Sequence, residues 1–169
     1  LKLWADTAGL VDTDSIVLLG ASAGGHLAAF IGTSPGHAAA GLPPALADYD
    51  AAVAAIVAIA GPADLETFAT GGHPWALELT EGFVGCAPCS AAALRTVSPL
   101  HRATPGLPPA YFAYGVADGL VEIDTQGDPI AAAWAAAAEP FTVWYERVPD
   151  GGHNLGHTAL NLRQLREFV

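Results

Sequence analysis

Four apolar residues, Ile16-Val17-Leu18-Leu19, run directly into Gly20-Ala21-Ser22-Ala23-Gly24-Gly25. No other stretch restricts the fold as much. A β-strand that ends in G-x-S-x-G and passes at once into a helix must turn sharply. The serine at that turn sits in strained backbone with its Oγ raised above the sheet edge, the arrangement called a nucleophile elbow. Small residues two positions to either side of Ser22 are expected to let strand and helix pack closely around the turn. The first N–H groups of a helix have no partner inside it, so the backbone at Ala23 is a candidate donor to an oxyanion.

The rest of the pattern supplies the sheet that such a turn needs. Residues 52–60 form an uninterrupted apolar run closed by Gly61-Pro62, as expected of a parallel strand buried on both faces. Residues 108–115 predict a third strand and 141–148 a fourth. Apolar spacing predicts helices over 24–32, 128–138 and 157–169, with the tail of another over 1–9. Residues 34–50 are interrupted by Gly and Pro and read as a loop. The irregular stretch 63–107 reads as an excursion over the top of the sheet. Strands alternating with helices imply βαβ crossovers, hence an α/β fold with a mostly parallel sheet and helices on both faces. At 169 residues the chain is read as one domain, 1–169.

Composition excludes several partners. The formal charge is −11 and the six Lys and Arg are scattered, so no basic face is available for nucleic acid or an anionic membrane. No apolar stretch has the length and purity of a membrane span. The chain contains no Met, so residue 1 is read as a cut, a processed end or the edge of a longer sequence. That leaves the compartment and the oligomeric state open. The two cysteines form Cys86-Ala87-Pro88-Cys89 in a region containing Gly and Pro. A zinc site would need further ligands and is rejected. A redox role would need a strand-to-helix junction, so the readings kept are a small structural disulfide, which is favoured, and two free thiols. A disulfide would point weakly to an extracytoplasmic site.

A serine becomes a useful nucleophile when a base takes its proton and a carboxylate holds that base. On this kind of sheet the chain order is Ser, then Asp or Glu, then His. Asp118 lies just past the third strand, in Gly115-Val116-Ala117-Asp118-Gly119-Leu120-Val121. His153 lies just past the fourth, in Pro149-Asp150-Gly151-Gly152-His153-Asn154. Each candidate therefore falls at the carboxyl end of a different strand, where parallel sheets place their chemistry. Other readings stay beside these. Ser22 can be a turn residue, Asp118 a polar cap with Glu122 as the substitute acid, and His153 a structural loop histidine with His157 as its rival. Asp150 reads as a solvated turn residue, His26 as a packing hydrogen-bonder, and His37, His73 and His101 as surface residues. Asp64 reads as a helix cap. Trp75 and Phe83 either line an acyl or alcohol pocket or pack as core or lid.

Gly20 to Ala28, Gly61-Pro62-Ala63-Asp64-Leu65, Ser98-Pro99-Leu100, Gly115 to Val121 and Gly152-His153 together resemble α/β-hydrolase esterases of the hormone-sensitive-lipase and feruloyl/acetylxylan-esterase-like type. The resemblance runs along the whole chain. It implies hydrolysis of small-acyl or carbohydrate-linked carboxylic esters with no metal or organic cofactor, with Ser22 as nucleophile, His153 as base and Asp118 as its orienter. A serine peptidase or amidase on the same fold is the alternative, as is a fragment inactive without its other half. The family begins with several more strands and a His-Gly-Gly-Gly-like loop that completes the oxyanion hole, and no such loop occurs here. The chain is thus expected to be the C-terminal part of the fold, with 16–19 left as an exposed apolar edge.

Overall fold

The computed structural model describes residues 12–34, 52–71, 73–139, 142–155 and 168. Within them the four expected strands form, β1 (Val17–Ala21), β2 (Ala55–Ile59), β3 (Ala110–Gly115) and β4 (Val143–Val148). They pair in the order β1-β2-β3-β4, every pair parallel. β1 is followed by helix α1 (Ala23–Gly32). Four short helices fill the β2-to-β3 excursion: α2 (Leu65–Thr70), α3 (Pro74–Val84), α4 (Ala91–Thr96) and α5 (Pro99–Arg102). Helix α6 (Asp128–Ala137) lies between β3 and β4 and is entered through a π-helical turn, Ile123–Gly127, that the apolar spacing does not signal. The helix tail expected over 1–9, the loop over 35–50 and all of the C-terminal helix except Phe168 lie outside the described residues.

Alternation along the strands divides the core in two. Ile56, Ala58, Phe112 and Tyr114 face α1 and α6, where they pack with Ala29, Ile130 and the fully buried Trp134. Trp134 stands edge-on to Phe112 at 5.3 Å and donates its indole N–H to Pro108 O at 2.9 Å. Full burial of each of these large side chains contributes roughly 2–3 kcal/mol. Val57, Tyr111 and Ala113 face the other way and pack with Val148 and Leu155. Phe168 lies on that second face, its ring against Tyr111 and Trp144. β2 is buried along nearly its whole length, as its unbroken apolar run predicts. β1 is the outermost strand of the described sheet, and its Leu19 is 65% exposed.

The excursion is anchored at its root by buried polar groups. Gln126, in the π-helical turn, accepts from the backbone N–H groups of both Ala63 and Asp64 at 2.8 Å and returns a bond to Asp64 O. Ser98 accepts from Leu65 N–H at 2.9 Å and donates to Leu94 O at 2.7 Å. Asp64 caps α2 through Glu66 N–H, as expected. At the far end of α3, Cys86 and Cys89 are disulfide-bonded. His73 and His101 have partners that the sequence does not suggest. His73 Nε2 meets Gly119 O at 2.8 Å, and His101 Nε2 lies 3.3 Å from Asp64.

Candidate active site

Ser22 joins β1 to α1 in a backbone conformation of φ 54° and ψ −122°. A non-glycine residue there costs on the order of 1–3 kcal/mol and persists only when its surroundings hold it. They do so from both sides. Ser22 N–H donates to Ile59 O on β2 at 2.8 Å, and Ser22 O accepts from His26 N–H at 3.0 Å. The steric requirement differs from the one expected for G-x-S-x-G. A Cβ on Gly20 would meet Gly24 O at 2.1 Å, and one on Gly25 would meet Ile59 O at 2.8 Å. A Cβ on Gly24 would meet nothing within 4 Å. Gly20 and Gly25 are therefore the residues that must be small, because strand, helix and the end of β2 converge on them. Ala23 opens α1, so its N–H, next to Ser22 in the chain, has no acceptor within the helix.

His153 and Asp118 reach the same point from the ends of β4 and β3. His153 Nε2 lies 2.8 Å from Ser22 Oγ, and His153 Nδ1 lies 2.9 Å from Asp118 Oδ2. A carboxylate only accepts, so Nδ1 carries the ring proton and Nε2 presents a lone pair to the serine hydroxyl. The Asp118 side chain is fully buried. Its other oxygen, Oδ1, accepts from Leu120 N–H at 2.8 Å and Val121 N–H at 3.0 Å. Asp118 thus meets its own loop with one oxygen and the His153 imidazole with the other. The loops bearing Asp118 and His153 are tied to each other, with Ala117 N–H on Gly151 O at 2.9 Å and Val116 N–H on Val148 O at 3.0 Å. Glu122 is exposed and Asp150 is an exposed turn residue at φ 56°. His157 and His37 lie outside the described residues.

Beside Ser22 opens an apolar pocket of about 210 Å³. Its wall includes Leu65, Phe68, Trp75, Phe83 and Val121, drawn from α2, α3 and the loop after Asp118. Trp75 and Phe83 are therefore pocket residues, and the excursion forms one side of the site. His26 lines the pocket too. Its Nδ1 meets Pro62 O at 2.8 Å, as its packing reading expects, yet its Nε2 is buried and has no hydrogen-bond partner among the described residues. Burial holds the His26 pKa below the ordinary histidine value of 6.5, partly opposed by the bond to Pro62.

The BD-FAE family model matches residues 6–129. The chain belongs to the BD-FAE family, an esterase-type α/β-hydrolase family. Ser22 and Asp118 fall inside the matched part of this BD-FAE chain and His153 beyond it. Among curated proteins none matches. A truncated form of a carbohydrate esterase from gut microbiota superposes with a TM-score of 0.76 at 20% identity, over 98% of this chain and 62% of that one. An acetyl ester-xyloside bifunctional hydrolase from Caldicellulosiruptor lactoaceticus gives 0.72 at 22% identity, over 97% of this chain and 57% of that one. A puromycin-hydrolyzing peptidase from Mycobacterium tuberculosis gives 0.68 at 24% identity, over 89% of this chain and 20% of that one. These likenesses establish the fold of the BD-FAE chain, which spans less than two thirds of the length of each.

Proposed function

We propose that this chain carries the nucleophile, base and acid of a serine carboxylesterase acting on small-acyl or carbohydrate-linked esters. The observation that carries this reading is the continuous hydrogen-bonded path from Ser22 Oγ through His153 to Asp118, at 2.8 and 2.9 Å. In the proposed reaction His153 Nε2 takes the Ser22 proton as Oγ attacks the ester carbonyl. Asp118 stabilises the imidazolium, which then protonates the leaving alcohol. Water, activated by the same imidazole, frees the acyl group. The Ala23 N–H supplies one donor to the oxyanion, and removing one such donor typically costs 10²–10³ in rate. The BD-FAE membership and the fold shared with carbohydrate esterases support an ester as the substrate. The peptidase among the fold neighbours keeps an amide as the second reading, because the same relay serves both bonds. Comparing ester with anilide turnover separates the two.

The test is labelling by a fluorophosphonate, which needs an activated serine but not a full catalytic cycle. We expect the label on Ser22, found by peptide mass spectrometry, and its loss in Ser22→Ala and His153→Ala. Labelling that survives His153→Ala would overturn the assignment of the base.

A further inference from the structure

The hydrogen-bonded path from Ser22 through His153 to Asp118 continues beyond the carboxylate, into the excursion. His73 is the N-cap of α3. An N-cap side chain ordinarily bonds to its own helix, but that of His73 makes no such bond. It reaches instead to a residue 46 positions away, with Nε2 2.8 Å from Gly119 O. A carbonyl only accepts, so Nε2 carries a proton and donates it. Gly119 C=O and Leu120 N–H belong to one planar peptide unit. That Leu120 N–H is the 2.8 Å donor to Asp118 Oδ1, and Asp118 Oδ2 meets His153 at 2.9 Å. Turning the plane would swing the N–H away from the carboxylate. A bond accepted at its oxygen fixes the plane and strengthens its N–H as a donor, because linked hydrogen bonds polarise one another. Gly119 has no side chain to brace the turn, and the space where one would stand is open.

We propose that His73 is a positioning residue for the reaction: by donating to Gly119 O it sets the peptide unit that binds Asp118, and so holds the carboxylate against His153. This rests on the reading of Ser22 as nucleophile and His153 as its base. His73 touches none of the reacting atoms and acts only through the Gly119-Leu120 peptide. The brace comes from the pocket side of the site, at the start of the helix that bears Trp75 and Phe83. Small misplacements of a catalytic group cost rate even when their origin is remote from the chemistry.

The test compares His73→Gln with His73→Met in the full chain. The two side chains have similar length, and only Gln offers an N–H where Nε2 stands. The readouts are the rate of Ser22 labelling by a short fluorophosphonate and the His153 Nδ1 resonance in long-range proton–nitrogen NMR. We expect His73→Met to slow labelling by about threefold to tenfold, the scale of one net hydrogen bond, and to move the Nδ1 resonance. His73→Gln should restore both toward the native values. His101→Ala removes a contact of the same excursion with Asp64 and should leave both readouts in place. An Nδ1 resonance that stays put in His73→Met would overturn the proposal, as would equal behaviour of the Met and Gln variants. A change just as large in His101→Ala would overturn it too, by showing a general loosening of the excursion. His73→Ala, also without a donor, repeats the comparison if the Met variant does not fold. A native chain unlabelled at Ser22 would overturn the nucleophile reading instead, while the Nδ1 resonance still decides the role of His73.

Discussion

The two sides of the candidate site are built to different standards. On the relay side, Ser22, Asp118 and His153 are each fixed by backbone: a hydrogen bond to β2, a capped loop, and a loop bonded to its neighbour. Glycines at Gly20 and Gly25 admit no added atom there. On the pocket side the wall comes from short helices whose large apolar residues stay half in solvent, with Trp75 44% and Phe83 53% exposed. The contrast teaches that positioning for the proposed chemistry is written into the main chain, whereas the shape of the pocket is written into exchangeable side chains.

Breaking the relay side should give the largest effects. Asp118→Asn retains the shape but lets the imidazole adopt the wrong tautomer, and we expect Ser22 labelling to slow by roughly 10⁴-fold, about 5.5 kcal/mol of activation free energy. Gly20→Ala should cost about 3 kcal/mol or more of stability in denaturant melts, because its Cβ would fall 2.1 Å from a backbone oxygen. On the pocket side, Phe83→Ala should lower stability by less than about 1 kcal/mol and slow labelling by no more than about tenfold. That slowing should be greater for a long-chain fluorophosphonate than for a short one. Gly24→Ala sharpens the contrast within the elbow itself. With open space at its Cβ and helical backbone, it should stabilise the fold by about 0.5–1 kcal/mol, read as a small rise in Tm.

His26 adds a pH-dependent component on the pocket side. Its native pKa is lowered by burial, so below the ordinary value of 6.5 the unfolded chain takes up a proton that the native one refuses. Its contribution is fully present above 6.5 and is lost progressively as pH falls from there toward the lowered native value. Melts of the native chain and of His26→Asn between about pH 7 and 5 should diverge in that direction. Parallel curves would remove His26 from the acid response.

The same division governs what the sequence reveals. The strands were legible because continuous apolar runs bounded by Gly and Pro admit few other structures, and the run 52–60 encloses β2, Ala55–Ile59, while beginning before it. Ser22, Asp118 and His153 were legible as candidates because each follows a strand, which makes their approach a consequence of strand order. What depends on packing across long separations was not legible. Nothing local tells that Gly25 meets β2 while Gly24 faces open space. Nor does the sequence suggest that Gln126 holds the backbone at Ala63 and Asp64, a contact across about sixty residues. The His26 nitrogen that finds no partner among the described residues was hidden for a related reason: a residue type shows that a polar atom is present, never how its neighbours pair with it.

Asp118 gives its two oxygens to two different duties, one to His153 and one to the turn bearing Leu120 and Val121, both of which line the pocket. On the proposed reading, a lineage adapting to a new ester can exchange the exposed wall residues one at a time without disturbing the contacts among Ser22, His153 and Asp118. The rim at Leu120 and Val121 offers no such freedom, because any change that pulls this turn away draws on the carboxylate that meets His153. Adaptation of this site is therefore expected to run through Trp75, Leu79 and Phe83 first, and to reach the Asp118 turn only with compensation elsewhere.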